Sequence, residues 1–279
     1  MTAARRIGVA LAALTLSVWL GPASAADPKV PAGLDPGGTA VALVSTGVDY
    51  TDPVIAARLA RDGEGEAIAL DLVDGDIRPF SPAVVGEGTR LAKALLSAYR
   101  NSRLIIVRAA TSDANSVARA LMFLAQTPAV VVALDVPAGL APISGLLVQA
   151  SRQLKRPLII APADALAAGA VVGPALLTVA PAPLGGAGAT APAGATDAWI
   201  SAAGATMFPG LTKPSPDRLE AAALMAGLAA CALHGTENTG AAGDAGILKR
   251  DVLGLARPAS EGAGVPVHDP MCWYGGIRN

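Results

Sequence analysis

Catalysis or metal binding needs a nucleophile, a proton carrier or a set of ligands, and this chain is sparing with all three. It holds two histidines, His234 and His268, and two cysteines, Cys231 and Cys272. Neither a Cys-x-x-Cys pair nor a His/Cys cluster is present, so no zinc site is expected, and no cofactor or other metal is expected either. His234-Gly235-Thr236 follows a long apolar run, a place where a His and a Gly satisfy the last carbonyls and the dipole of a helix. His268 stands beside Asp269 in a Pro-containing tail and reads as a surface residue. Ser215 precedes Pro216, the order of an N-cap and a first helical residue rather than of a nucleophile. Ser45-Thr46-Gly47 has the composition of an anion-binding turn or of a turn with a purely structural role. Glu87 stands just before a helical pattern, where a carboxylate gains about 0.3–1 kcal/mol from the N-terminal dipole. A hydrogen bond to the Ser45 hydroxyl is also open to it.

The balance of the chain narrows the classes further. Its 279 residues are 52% hydrophobic, 15% charged and 3% aromatic, with a net charge of −1. That is too apolar for disorder and too neutral for a nucleic-acid binder. Arg5 and Arg6 precede an uncharged run over 7–20, and Ala23-Ser24-Ala25 follows Gly21-Pro22. This is the pattern of a secretory signal peptide cleaved after Ala25. The run is shorter than the about 20 residues of a bilayer span, although an uncleaved anchor is the alternative. The uncharged stretch 165–196 is interrupted by Pro174, Pro181, Pro183 and Pro192, which would break a spanning helix. The expectation is a soluble protein, secreted or periplasmic, with no stable membrane span once the signal is removed. In an oxidising compartment Cys231 and Cys272 can pair; the other reading makes Cys231 a small core residue.

Segments 40–44, 67–72, 104–108, 129–134, 158–161 and 176–180 are apolar throughout, as strands covered on both faces require. Between them the pattern predicts helices from Pro53, capped by Asp52, to Gly63, and over about 88–100, 115–126 and 143–155. A last helix, capped by Ser215, runs to Leu233. From Leu219 on it carries no charge on any face apart from Glu220, so it must be buried. The β-α-β order implies an α/β fold, a doubly wound, mostly parallel sheet with helices on both faces and right-handed crossovers. Residues 1–25 are assigned to the signal, 26–39 to a Pro/Gly linker and 40–279 to one domain.

Val41-Ala42-Leu43-Val44-Ser45-Thr46-Gly47-Val48-Asp49 resembles the first catalytic block of the subtilisin-like serine proteases, Asp-Thr-Gly-(Ile/Val)-Asp at the end of a central strand. Gly86-Glu87-Gly88-Thr89-Arg90-Leu91-Ala92 resembles their Gly-His-Gly-Thr-x-Val-Ala block. Pro157-Leu158-Ile159-Ile160-Ala161-Pro162-Ala163-Asp164 resembles the strand leading to the oxyanion Asn. Ala221-Ala222-Ala223-Leu224-Met225-Ala226-Gly227-Leu228-Ala229-Ala230 resembles the helix that follows the nucleophile, and Trp273-Tyr274-Gly275-Gly276-Ile277 the closing Gly-Tyr-Gly strand. The matches keep the family's order over roughly residues 38–279, and they imply its three-layer architecture.

The same resemblance removes the chemistry. The family's Asp falls on Ser45, its His on Glu87 and its Ser on Leu219, while the oxyanion Asn falls on Ala165, or on Asp164 if the loop is one residue shorter. The mechanism needs a hydroxyl to attack, an imidazole to take its proton and a carboxylate to orient that imidazole. Leu219 has no lone pair. The related sedolisins place Glu and Asp where Glu87 and Asp164 fall, but they also need an Asp four residues after the Glu, where Leu91 stands, and a Ser. The resemblance therefore implies an exported protein of subtilase fold without peptidase activity, holding a peptide or protein partner in the former cleft. The alternative is a serine-type endopeptidase with a rearranged site.

Overall fold

Apolar strand runs need a layer on each side, and two separate hydrophobic clusters supply it. The computed structural model describes residues 27–82, 86–181, 196–200, 216–233 and 244–254. In chain order the elements are β1 (Thr39–Ser45), α1 (Pro53–Ala56), β2 (Ala69–Asp71), α2 (Glu87–Ala98), β3 (Ser102–Arg108), α3 (Ala114–Leu124) and β4 (Val131–Leu134). There follow α4 (Ala141–Gln153), β5 (Leu158–Pro162), β6 (Leu176–Pro181), β7 (Ala198–Ile200), α5 (Arg218–Leu233) and α6 (Ala245–Gly254). The strands form one sheet of order β2-β3-β1-β4-β5-β6-β7, parallel throughout. This is the α/β architecture read from the sequence.

Alternate residues of each strand serve opposite faces. Val41 and Leu43 of β1 join the cluster that holds α2, α5 and α6, whereas Ala42 and Val44 join the one that holds α3 and α4. The expected right-handed winding does not hold everywhere. α2 and α3 both carry the chain in the same direction across the sheet, from β2 to β3 and from β3 to β4, yet they cover opposite faces. The two crossovers therefore differ in hand, against the strong general preference. The long connection between β2 and α2 gives the chain slack to do this, and the result sets α2 beside α5.

Local chemistry accounts for the other differences. The helix from Pro53 stops at Ala56 rather than Gly63, although Asp52 caps it as expected, accepting from Val54 N. Sheet-like pairing takes over there: Ala60 N donates to Leu104 O at 2.8 Å and Leu104 N to Arg58 O at 2.6 Å. β7 and α6 carry too short or too weak an apolar period to be read in advance. Residues 27–38, assigned to a linker, are irregular but fastened. Tyr50 Oη donates to Pro28 O at 2.5 Å, Arg61 Nη2 to Pro31 O at 2.6 Å, and Asp35 pairs with Arg103 at 2.7 Å. Among the described residues no helix is long and apolar enough to cross a membrane.

Candidate functional site

The connections leaving β1 and β4, which lie side by side, run in opposite directions across the sheet. At such a switch point the carboxyl ends of the strands border a crevice. Ser45 ends β1 and Asp135 follows β4, with Asp135 N donating to Val44 O at 2.9 Å. The N-termini of α2 and α5 come to the same place, which puts two positive helix ends side by side and calls for carboxylates.

Those carboxylates are present. α5 is capped by Asp217, not by Ser215: its side chain accepts from Leu219 N at 3.0 Å and Glu220 N at 2.9 Å. Glu220 reaches back to accept from Asp217 N at 3.2 Å, which completes a capping box. From α2, Arg90 ion-pairs with Glu87 one turn earlier and, across the helix interface, with Glu220 and with Asp217 at 2.9 Å. Glu220 is only 1% exposed, so Arg90 is what makes its burial tolerable. The three carboxylates in turn hold the guanidinium firmly protonated against the effect of burial.

A second guanidinium closes the other side. Arg218 Nε donates to both oxygens of Asp164, at 2.8 and 2.7 Å, and its Nη2 donates to Val136 O at 2.8 Å. This ties the turn after β5 to the segment after β4. Asp135, just after β4, is buried, 8% exposed, and feels the charge of both arginines. Burial pushes its carboxyl up to about 6, helped by the negative Glu87 and opposed by Arg218, the Thr46 backbone and Arg90.

The residues singled out from the sequence fall as follows. Ser45 is fully buried, and its Oγ accepts from Gly47 N at 3.3 Å. Gly88 lies so close that a Cβ there would meet Gly47 O at 2.2 Å and Ser45 Oγ at 2.4 Å. Glu87 is half exposed and engaged by Arg90. Leu219 packs against the core cluster at the start of α5. Ala165 is fully buried and Asp164 partly exposed. The structure thus brings Ser45, Glu87, Leu219 and Asp164 to one edge of the sheet, and with them Arg90, Asp135, Asp217, Arg218 and Glu220, which the sequence reading passed over as functional residues. Asp217-x-x-Glu220 was legible as a capping box and Glu87-x-x-Arg90 as a one-turn ion pair; Asp135 left no local signal.

Cys231 lies buried on α5 and the described residues include no free cysteine, while Cys272 lies outside them. Ser215, His234, Thr236, His268 and residues 273–277 lie outside them as well. At the far end of the sheet Asp27, Asp71 and Asp74 bring oxygens within 4.8 Å of one another. Arg108 supplies the positive charge there, 2.9 Å from Asp71 and in contact with Asp74.

No protein-family model matches the chain, and no curated protein matches it. Solved structures do. A chain of the subtilase cytotoxin SubAB assembly superposes with a TM-score of 0.54 at 17% identity, covering 84% of this chain and 89% of that one. A cold adapted subtilisin-like serine proteinase gives 0.51 at 16% identity, covering 81% and 85%. The fold is subtilisin-like. At such identities the likeness concerns the subtilisin-like architecture alone; what the edge of its sheet does must be argued from the side chains found there.

Proposed function

We propose that this is an exported protein of subtilisin-like fold that does not hydrolyse peptides and holds a peptide or protein segment in the crevice at the carboxyl ends of its strands. The observation that carries the reading is the ion-pair cluster where α2 and α5 begin. Glu87, aligned by the resemblance with a general base, is spent on Arg90. Leu219, aligned with the nucleophile, is an aliphatic side chain between Asp217 and Glu220. Ser45, aligned with the orienting carboxylate, is out of reach of solvent. Nucleophilic attack needs a hydroxyl within hydrogen-bond reach of a base, and these three positions supply none. Binding needs less: a crevice at a switch point takes an extended segment, and Ala138 and Gly139 after β4 are exposed beside it, with Gly139 N already donating to Asp164 O at 2.9 Å.

Purified protein incubated with casein at pH 5 and pH 8 releases no peptides on this reading; steady release that survives repurification would end it. One observation favours a hydrolase with moved groups. Asp135, whose carboxyl burial pushes up to about 6, receives the N–H of Thr46, an exposed residue. That reading requires turnover to disappear in Thr46→Val. We also propose that the signal is cleaved after Ala25 and that Cys231 pairs with Cys272. Terminal sequencing of the exported protein should begin at Ala26, and thiol titration under denaturing conditions should find no free sulfhydryl.

A further inference from the structure

On the outer side of α2, away from the crevice, lies an open groove of about 490 Å³ lined by Val54, Ala57, Arg58, Lys93, Leu96, Ser97 and Arg100. Its size is within the range of about 300–1,000 Å³ in which proteins hold small organic ligands. The floor is apolar: Leu96 belongs to the core, Ala57 is exposed, and Val54 is one of the few large hydrophobic side chains left open to solvent among the described residues, at 54%. The rim is cationic. Lys93 is matched by Asp52 at 2.6 Å. Arg58 and Arg100 form no ion pair among the described residues, so the lining carries more positive than negative charge.

Structural duties do not absorb this charge. Arg100 and Arg58 each stand one residue past a C-cap, of α2 and of the single-turn α1, and gain something from those helix ends, but no carboxylate pairs with either among the described residues. An apolar floor with two unmatched guanidiniums at its rim is complementary to one kind of molecule. The geometry points to a binding site for a small amphipathic organic anion, its apolar body over Val54, Ala57 and Leu96 and its acidic group between Arg58 and Arg100. Guanidinium groups suit this task because they meet a carboxylate, sulfonate or phosphate with paired, charge-assisted hydrogen bonds. Nothing in this inference depends on whether the crevice binds or cleaves peptides.

The probe is 8-anilinonaphthalene-1-sulfonate, titrated by fluorescence against the folded full-length mature protein. The expected result is saturable binding at one site per chain, displaced by decanoate and at least about tenfold less well by decanol. Arg58→Gln with Arg100→Gln weakens binding by about tenfold or more. Ala57→Trp, at an exposed position that leaves every charge in place, fills the groove and weakens it comparably; it decides the matter if the double variant does not fold. Binding that is unchanged in Ala57→Trp, equal displacement by decanol and decanoate, or no saturable binding at all would overturn the inference.

Discussion

α2 and α5 run side by side and meet in two places whose chemistry is opposite. Where the middle of α5 meets the last turn of α2, the contact is backbone against backbone. Gly227 of α5 approaches α2 so closely that a Cβ would meet Leu95 O at 2.4 Å and the Ala98 side chain at 2.7 Å. Around it α5 is a run of buried Ala, Leu and Met. One to two turns earlier the same helices meet through Arg90, Glu87, Asp217 and Glu220. The first contact sets the spacing of the helices and therefore the shape of the fold. The second decides what the edge of the sheet can do. Because different residues carry the two tasks, a subtilisin-like shape does not require subtilisin-like chemistry.

The contrast can be broken at either end. The largest effect is expected at the charged end: Arg90→Met leaves Glu220 buried without its partner and should cost about 3–5 kcal/mol in urea unfolding. Adding Glu220→Gln should return much of the loss. At the apolar end Gly227→Ala should cost about 3 kcal/mol, at the upper side of overpacking penalties, because the opposing atom is main chain and cannot turn away.

Asp135 sharpens the comparison, since the crevice stabilises the fold less when this carboxyl is charged. Its pKa is raised on folding, from 3.8 to about 6. The folded state therefore holds the proton more tightly than the unfolded chain, and the stability this group confers is fully present below about pH 4 and lost as pH rises through 6. Asp135→Asn should raise stability by an amount on the order of 3 kcal/mol at pH 8 and leave it nearly unchanged below pH 4. A wild-type and variant pair with parallel pH profiles would contradict the assignment. The smallest effect belongs to Leu219→Ser. It should cost about 1 kcal/mol or less, from lost packing of a half-buried side chain, and release no hydrolytic activity, because Glu87 remains held by Arg90.

Much of this scaffold was legible before any coordinates. β1, β3, β4, β5 and β6 were readable because strands covered on both faces are apolar at every position, and α5 because it carries a single charge in its buried length. The edges were harder. β2 and β7 have three residues each, too few for a period, and the turn at Ala56 is set by main-chain pairing with Leu104, a partner some 45 residues away. The candidate site was half legible. Ser45, Glu87 and Leu219 were found through the order of blocks along the chain, whereas Arg90, Arg218 and Asp135 owe their roles to which helix ends and strand ends the topology brings together. The cap of α5 was assigned to Ser215 because Pro216 follows it; Asp217 takes the position because its carboxylate also meets Arg90.

The central claim is that no activated hydroxyl faces the crevice, and fluorophosphonate labelling tests it most directly. Folded protein treated with an excess of reagent and mapped by mass spectrometry should carry no adduct on any serine or threonine. Stoichiometric modification of one hydroxyl, lost on prior denaturation, would mean that the site is catalytically armed and that the account is wrong.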